Sequence, residues 1–213
     1  MPRDISEESV EKAYARWAPV YDLVFGKVFD AGRKASIAAA DRIGGRILDV
    51  GVGTGISLPD YRRDIRLVGV DYSAAMLKKA HRRVIEQKLD HVDALAVMDA
   101  KFLGFPDAFF DAVVAQYVIT AVPDPEATLD EFVRVTKPGG EIILVNHIGA
   151  ERGARKAFET GFSPVARRLG WRPEFPWRRL ADWASRNKSV KLVERLPMPP
   201  MGHFSLIRYQ RIA

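Results

Sequence analysis

The sequence predicts an α/β protein: a doubly wound, mostly parallel, seven-stranded sheet with an antiparallel last strand and an N-terminal helical lid, in one domain over residues 1–213. Three observations carry this prediction. Apolar runs of strand length alternate with helical stretches between residues 46 and 147, the pattern of a parallel sheet with helices on both faces. The runs are continuously apolar, as strands covered on both sides are. The first run, RILDVG, leads straight into a turn built from glycines.

The elements follow in order. Over residues 6–18, Val10, Tyr14 and Trp17 fall at i, i+4 and i+7 with Ala13 beside them, the spacing of one helical face. Ser6 is the cap, Glu7 and Glu8 occupy the first turn, and Pro19 ends the helix. Residues 20–43 continue as a second helical stretch in which Gly26 or Gly32 offers a break. Strands are expected at 46–51, 66–71, 93–98, 111–116 and 141–147. Between them lie a short helix near 55–62, a helix over 73–88 capped by Ser73, and a helix over 125–137 stopped by Pro138 and the Gly139–Gly140 turn. Two helices (about 151–169 and 177–187) then precede strands at 190–196 and 203–210, joined by PMPPMG as a closing hairpin. This divides the domain into a lid (1–43), a cofactor-binding core (44–147) and a basic helical segment with the hairpin (148–213).

With 47% hydrophobic residues the chain has ample material for a core, which argues against intrinsic disorder. It has no cysteine, so disulfides and thiolate metal sites are excluded and a reducing compartment is compatible; no metal site is expected. The first residues carry acids and lack the apolar stretch of a secretory signal, and the longest apolar runs are strand-sized, so the expectation is a soluble protein or one bound at a membrane surface. The net charge of +6 is uneven. Residues 152–191 hold eleven basic and three acidic side chains, a net of +8, leaving the remainder at −2. Such a local excess suits an anionic partner: a phospholipid surface, a nucleic acid or a phosphorylated substrate.

The strongest motif is Leu48-Asp49-Val50-Gly51-Val52-Gly53-Thr54-Gly55, at the turn from the first strand. A ligand lying across the carboxyl ends of parallel strands meets backbone there, and glycine lets it approach without a Cβ clash. Dinucleotide sites use G-x-G-x-x-G/A, whereas here the spacing is G-x-G-x-G, with Ile56 where the third glycine of that fingerprint would stand. The spacing resembles the first motif of class I S-adenosylmethionine methyltransferases. Asp71 ends the second strand twenty residues after Gly51, where a carboxylate accepts hydrogen bonds from two ribose hydroxyls. Met98-Asp99-Ala100 ends the third strand; in the resembled family an acid at this position accepts the adenine amino group. Phe105-Pro106-Asp107 through Asp111 leads into the fourth strand, which ends at Gln116 and Tyr117, and Arg134-Val135-Thr136-Lys137-Pro138-Gly139-Gly140 precedes the fifth. Each match alone is weak; together, in order, they point to a methyltransferase. The resemblance implies S-adenosylmethionine as cofactor, held by Tyr14, Asp49, Gly51, Gly53, Gly55, Asp71, Tyr72, Met76, Met98, Asp99, Ala100 and Gln116.

On the substrate side, the stretch YARWAPVYD (14–22) resembles the aromatic lid of phospholipid and quinone methyltransferases. Aromatic faces attract a sulfonium or a methylated ammonium by cation–π interaction. Tyr117 and His147 end strands four and five at the face where doubly wound folds carry function. Tyr21, Tyr117 and His147 are therefore the catalytic candidates, and Arg152 the candidate for a substrate phosphate. Trp17 is read as core and His203 as structural.

The YARWAPVYDLVFG, LDVGVGTGIS, VGVDYSAAML, AQYVITAVPDP, LVNHIGAE and GHFSLIRYQR segments together resemble bacterial phosphatidylethanolamine N-methyltransferases of the Rossmann-like kind. What this implies is stepwise methylation of phosphatidylethanolamine toward phosphatidylcholine, by a monomer of cytoplasmic location, peripherally associated with the inner face of the membrane through an anionic membrane surface. Competing readings are methylation of a quinone precursor or small metabolite, a nucleic-acid methyltransferase, and a cofactor-binding protein without turnover. The nucleic-acid reading lacks a recognised binding module and the Asn-Pro-Pro-Tyr-like motif after strand four, so no nucleic-acid partner is expected.

Overall fold

The computed structural model describes residues 21–148, 175–199 and 202–213, with side chains from Phe29 onward. The expected lid helix over 6–18, the helix over 151–169, Tyr14, Trp17 and Arg152 lie outside these residues.

The elements are α1 (Tyr21–Ile43), β1 (Arg46–Val50), a 3₁₀ turn (Leu58–Asp60), β2 (Arg66–Asp71), α2 (Ala74–Glu86), β3 (Val92–Val97), β4 (Phe110–Gln116), α3 (Pro125–Val135), β5 (Thr136–His147), α4 (Trp177–Arg186), β6 (Val190–Met198) and β7 (Phe204–Arg211). They form one seven-stranded sheet in the order β3-β2-β1-β4-β5-β7-β6. Strands β1 to β5 pair in parallel, and β7 runs antiparallel between β5 and β6. The chain reverses its direction of travel across the sheet between β3 and β4, so the carboxyl ends of β1 and β4 part at a switch point where ligands bind in such folds.

Apolar side chains fill both faces. Leu77 and Ala80 of α2 and Ile37 and Ala40 of α1 pack on Ile47 and Val114 on one side. Phe132 of α3 and Leu180 and Trp183 of α4 pack on Val113 and Leu144 on the other. β1 and β4 are therefore central and buried, which is why their sequences are largely apolar on both faces, apart from Asp49 and the residues at the strand ends.

Three expectations are corrected. α1 passes through Gly26 and Gly32 without a break. Gly32 serves close packing: a Cβ there would begin 2.7 Å from both the Tyr117 hydroxyl and Val145 Cγ1, so glycine lets the helix press onto β4 and β5. The short helix near 55–62 is only the 3₁₀ turn Leu58–Asp60. The helix expected over 125–137 stops at Val135, and the Pro138-Gly139-Gly140 segment belongs to β5. Tertiary hydrogen bonds decide this ending. The carbonyls of Arg134 and Val135 accept from the Ala108 and Phe109 amides at 2.9 and 2.8 Å. Arg211, arriving on β7, places one guanidinium nitrogen within 3.0 Å of the Val133, Arg134 and Thr136 carbonyls. These carbonyls lie at the helix carboxyl end, where intrahelical donors run out and a cation is also favoured by the dipole. The glycine pair then makes an irregularity where pairing jumps from Phe110–Thr136 to Ala112–Glu141.

The Asp124 side chain caps α3 by accepting from the Ala127 amide at 3.1 Å, and Ser73 caps α2 as expected. The hairpin β6–β7 forms as expected, with Pro197 on the edge strand, where a missing amide costs no ladder bond.

Candidate functional site

At the carboxyl ends of β1 to β4 lies a cavity of about 210 Å³. It takes in the glycine turn, the ends of β2 and β3, and the residues that follow β4. Its position follows from the topology, because only there do successive loops diverge.

The glycine turn is built by backbone. Gly51, Gly53 and Gly55 have φ of +71°, +57° and +73°, the left-handed region that side chains disfavour. The amides of Gly51 and Val52 both donate to the Val70 carbonyl, at 2.8 and 3.0 Å, which ties the turn to β2. A Cβ at Gly51 would begin 2.3 Å from Val118 Cγ2, so this glycine also makes room for the segment after β4. Gly55 differs: its Cβ would meet Leu58 at 2.7 Å and Ala80 at 3.0 Å, and it does not line the cavity. It lets α2 and the 3₁₀ turn close on the loop.

Asp71 lines the cavity and is anchored on both oxygens. Oδ2 accepts from the Gly53 amide and Oδ1 from the Ser73 amide, each at 2.8 Å. Burial raises its pKa above the ordinary value, and the two amides oppose that by stabilising the carboxylate. A carboxylate has about four lone-pair directions, so two remain for a ligand. Tyr72, half exposed, stands on the rim, and Met76 is buried beneath. The Met98 amide donates to the Asp71 carbonyl at 3.1 Å, which sets Met98, Asp99 and Ala100 beside the end of β2. Asp99 Oδ1 accepts from the Lys101 amide at 2.9 Å, closing a small turn.

Gln116, at the end of β4, lines the same cavity. Its Oε1 accepts from Ser57 Oγ at 2.8 Å, and its Nε2 donates to Ser36 Oγ at 2.9 Å, linking the glycine turn to α1. Tyr117 follows with φ of +65°, a strained conformation for a bulky residue and one that collects at functional sites. Its hydroxyl donates to the Phe29 carbonyl of α1 at 3.0 Å, and its ring lies 4.2 Å from that of Phe29. Desolvation holds the phenol protonated far above neutral pH.

The structure thus brings Gly51, Gly53, Asp71, Tyr72, Met76, Met98, Asp99, Ala100, Gln116 and Tyr117 to one cavity. Asp49 lies behind the wall. Its carboxyl is 1% exposed and accepts from the Tyr61 hydroxyl at 3.2 Å, and burial pushes its pKa up to about 7. Side chains alternate along a strand, so Asp49 points to the opposite face from Val50, which lines the cavity. His147 sits one strand further along, in an aromatic group. Its ring is 6.1 Å from that of His203 and 6.0 Å from that of Phe204, and Phe204 in turn lies 5.5 Å from Tyr117. Tyr21 is the first residue of α1, and its side chain lies outside the described residues. Sequence reasoning missed Ser36, Ser57 and Val118, whose types carry no signal without the fold, and Asn146, which is taken up below.

The cavity suits an adenosyl cofactor. A Cβ at Gly51 would crowd Val118 in the cavity wall, Asp71 offers two acceptor directions beyond those its amides take, and the side chains of Met76 and Met98 give the cavity an apolar lining. The model of the methyltransferase domain family matches residues 48–144, which include all of these loops. The fold, the cavity and that match define a class I methyltransferase that uses S-adenosylmethionine. Phosphatidylethanolamine N-methyltransferase of Cereibacter sphaeroides is 40% identical over 204 residues, covering 96% of this chain and 98% of that protein. The chain belongs to the phosphatidylethanolamine N-methyltransferase family. Demethylmenaquinone methyltransferase of Thermus thermophilus is more distant, 33% identical over 66% of this chain and 67% of its own length. Among solved structures, a phosphoethanolamine N-methyltransferase of Haemonchus contortus bound to phosphomonomethylethanolamine and S-adenosylhomocysteine superposes with a TM-score of 0.72. It covers 100% of this chain and 62% of its own, at 17% identity, a likeness of fold.

Proposed function

We propose that this enzyme moves methyl groups from S-adenosylmethionine to the amine of phosphatidylethanolamine, stepwise toward phosphatidylcholine, at a membrane surface. The observation that carries the reading is the near full-length relation to the Cereibacter enzyme, which extends well past the cofactor loops into the substrate side of the fold. The demethylmenaquinone methyltransferases match between 50% and 83% of the chain at 31–38% identity, so quinone methylation is the weaker reading.

In this reading Gly51, Gly53 and Gly55 shape the turn around the cofactor, and Asp71 accepts from the ribose hydroxyls. Asp99, with Met98 and Ala100, serves the adenine, while Tyr72, Met76, Gln116 and Tyr14 of the lid complete the enclosure. Asp49 acts from beneath the turn. The cofactor supplies an electrophilic methyl on a sulfonium. The chain supplies alignment, which accounts for much of the acceleration in a displacement. It also supplies a cavity with an apolar lining, which favours the neutral amine; an alkyl ammonium with a pKa near 10.4 is neutral in only about one part in a thousand at pH 7. Tyr21, Tyr117 and His147 line the acceptor side, and Arg152 receives the phosphate.

Tyr117 positions α1 rather than taking a proton, since its hydroxyl is held protonated and already donates to Phe29. Replacing it with phenylalanine is expected to lower turnover about tenfold, the worth of one hydrogen bond. Cofactor affinity and the alkaline limb of the pH profile should stay where they are. A shifted alkaline limb would make Tyr117 a base.

The membrane partner is an anionic bilayer on the inner face. Arg178, Arg186, Lys188 and Lys191 are exposed on and after α4, within the basic segment. No helix among the described residues is long and apolar enough to cross a membrane. The deciding experiment mixes the purified enzyme and methyl-labelled S-adenosylmethionine with anionic vesicles, with and without phosphatidylethanolamine, and separates the lipids. Label in mono-, di- or trimethylated lipid supports the reading. An unlabelled lipid fraction from enzyme that binds cofactor overturns it.

A further inference from the structure

Asn146 is an anomaly in the sheet. It is 0% exposed, and neither its amide nitrogen nor its amide oxygen has a hydrogen-bond partner among the described residues. Buried polar groups in folded proteins are almost always paired, because an unpaired one keeps the cost of losing water with nothing returned. Leucine would fill the same place in an apolar core without that cost.

Its position suggests what the amide is for. Asn146 is the last residue but one of β5, at the same end of the sheet as the cavity. The residue before it, Val145, pairs with Gln116 and accepts from the Tyr117 amide at 2.6 Å, so Asn146 adjoins the strained turn at Tyr117. Alternation along β5 puts Asn146 on the face of Ile142 and Leu144. That face belongs to the apolar cluster onto which Met98, Ala100 and Val118 pack, and these three also line the cavity. On β7 its register partner is Ser205, itself buried.

We propose that Asn146 positions the acceptor amine, its Oδ1 accepting one N–H so that the nitrogen lone pair points at the methyl group. This rests on the amine reading given above. The nitrogen lone pair forms the new C–N bond as the C–S bond breaks, and sulfur keeps that electron pair as a neutral thioether. The methylated ammonium so formed gives its extra proton to water before the next round. The number of N–H groups on the neutral acceptor falls from two to one to none as methylation proceeds. Help from Asn146 is therefore graded: greatest for the unmethylated lipid, absent for the dimethylated one.

The test compares the wild-type enzyme with Asn146→Leu and Asn146→Ala on phosphatidylethanolamine and its monomethyl and dimethyl forms in the same vesicles. The expected result for Asn146→Leu is a fall in kcat/KM of about tenfold or more on the unmethylated lipid, a smaller fall on the monomethyl lipid, and a change under about twofold on the dimethyl lipid. S-adenosylhomocysteine affinity should be unchanged. Asn146→Leu should melt at the same temperature as the wild type or higher, since it removes an unpaired amide. Equal losses on all three lipids, no loss on any, or a lowered melting temperature for Asn146→Leu overturns the proposal. If Asn146→Leu does not fold, the gradient across the three lipids in Asn146→Ala decides in its place, and equal losses there overturn the proposal. Failure of the wild-type enzyme to methylate any of the three lipids is a separate outcome, which removes the amine reading itself.

Discussion

Replacing Asp71 with alanine is expected to weaken S-adenosylmethionine binding about 100-fold while the protein stays folded. Two charge-assisted hydrogen bonds from a ribose diol, at about 1.5 kcal/mol each net, amount to about 3 kcal/mol, or roughly two decades in Kd. The loss is amplified because the same carboxylate holds the Gly53 and Ser73 amides at 2.8 Å. Without it the glycine turn keeps its backbone bonds to Val70 but loses the side-chain tie through Gly53. Asp71→Asn keeps the shape and one acceptor, so a loss of about tenfold is expected for it. Calorimetric titration of cofactor into each variant checks both values. Unchanged affinity in Asp71→Ala would remove the ribose assignment.

Gly51→Ala is the second large effect. At φ of +71° an alanine costs about 1–2 kcal/mol in backbone strain alone. Its methyl would also begin 2.3 Å from Val118 Cγ2, inside contact distance, and Val118 lines the cavity. The expected result is a melting temperature lower by several degrees and a cofactor affinity lower by more than about tenfold. Gly44→Ala separates the two causes. Gly44 has nearly the same φ, +70°, with nothing within 4 Å of its Cβ position. It should show the backbone cost and leave cofactor binding alone. Equal cofactor affinities in the two variants would mean that the crowding at Val118 is absorbed.

Much of this site is legible in the sequence because each cofactor contact lies in a short segment at a strand end. A carboxylate twenty residues beyond a glycine turn can be placed by counting strands and helices. The fifth motif shows the limit. The Thr136-Lys137-Pro138-Gly139-Gly140 segment reads as a helix stop that supports the cofactor domain, yet it sits at the opposite end of the sheet. There the Lys137 ammonium meets Asp111 Oδ1 at 2.7 Å, Asp111 Oδ2 accepts the Arg46 amide at 2.8 Å, and Gly140 passes close to the Asp111 carbonyl. That motif closes the sheet where β1, β4 and β5 begin. The early end of α3 is hidden from the sequence for a similar reason, since a bond that stops it comes from Arg211, 75 residues beyond Thr136. Gly32 reads as a helix breaker by propensity, and only the contact with Tyr117 and Val145 shows it as a packing residue. Asn146 gives no signal, because an asparagine in a strand is notable only once its burial is known.

The Asp49–Tyr61 pair makes the folded state a proton store. Asp49 keeps its proton up to about pH 7 when folded and releases it near 3.8 when unfolded, because burial without a cation penalises the charged form. Between those values the native chain holds a proton that the unfolded chain has lost. Stability is therefore fully present below the lower value and declines as pH rises toward the upper one, by up to about 1.4 kcal/mol per pH unit. The cofactor-free enzyme should melt at a higher temperature at pH 6 than at pH 8, and Asp49→Asn should flatten that difference. A flat profile in the unsubstituted enzyme would refute the buried acid. The raised pKa of Asp49 means that a positively charged occupant of the cavity draws its proton out of the protein, whereas an uncharged one draws less of it. Fresh and spent cofactor differ by one such charge, so the balance between loading and product release becomes a function of ambient acidity.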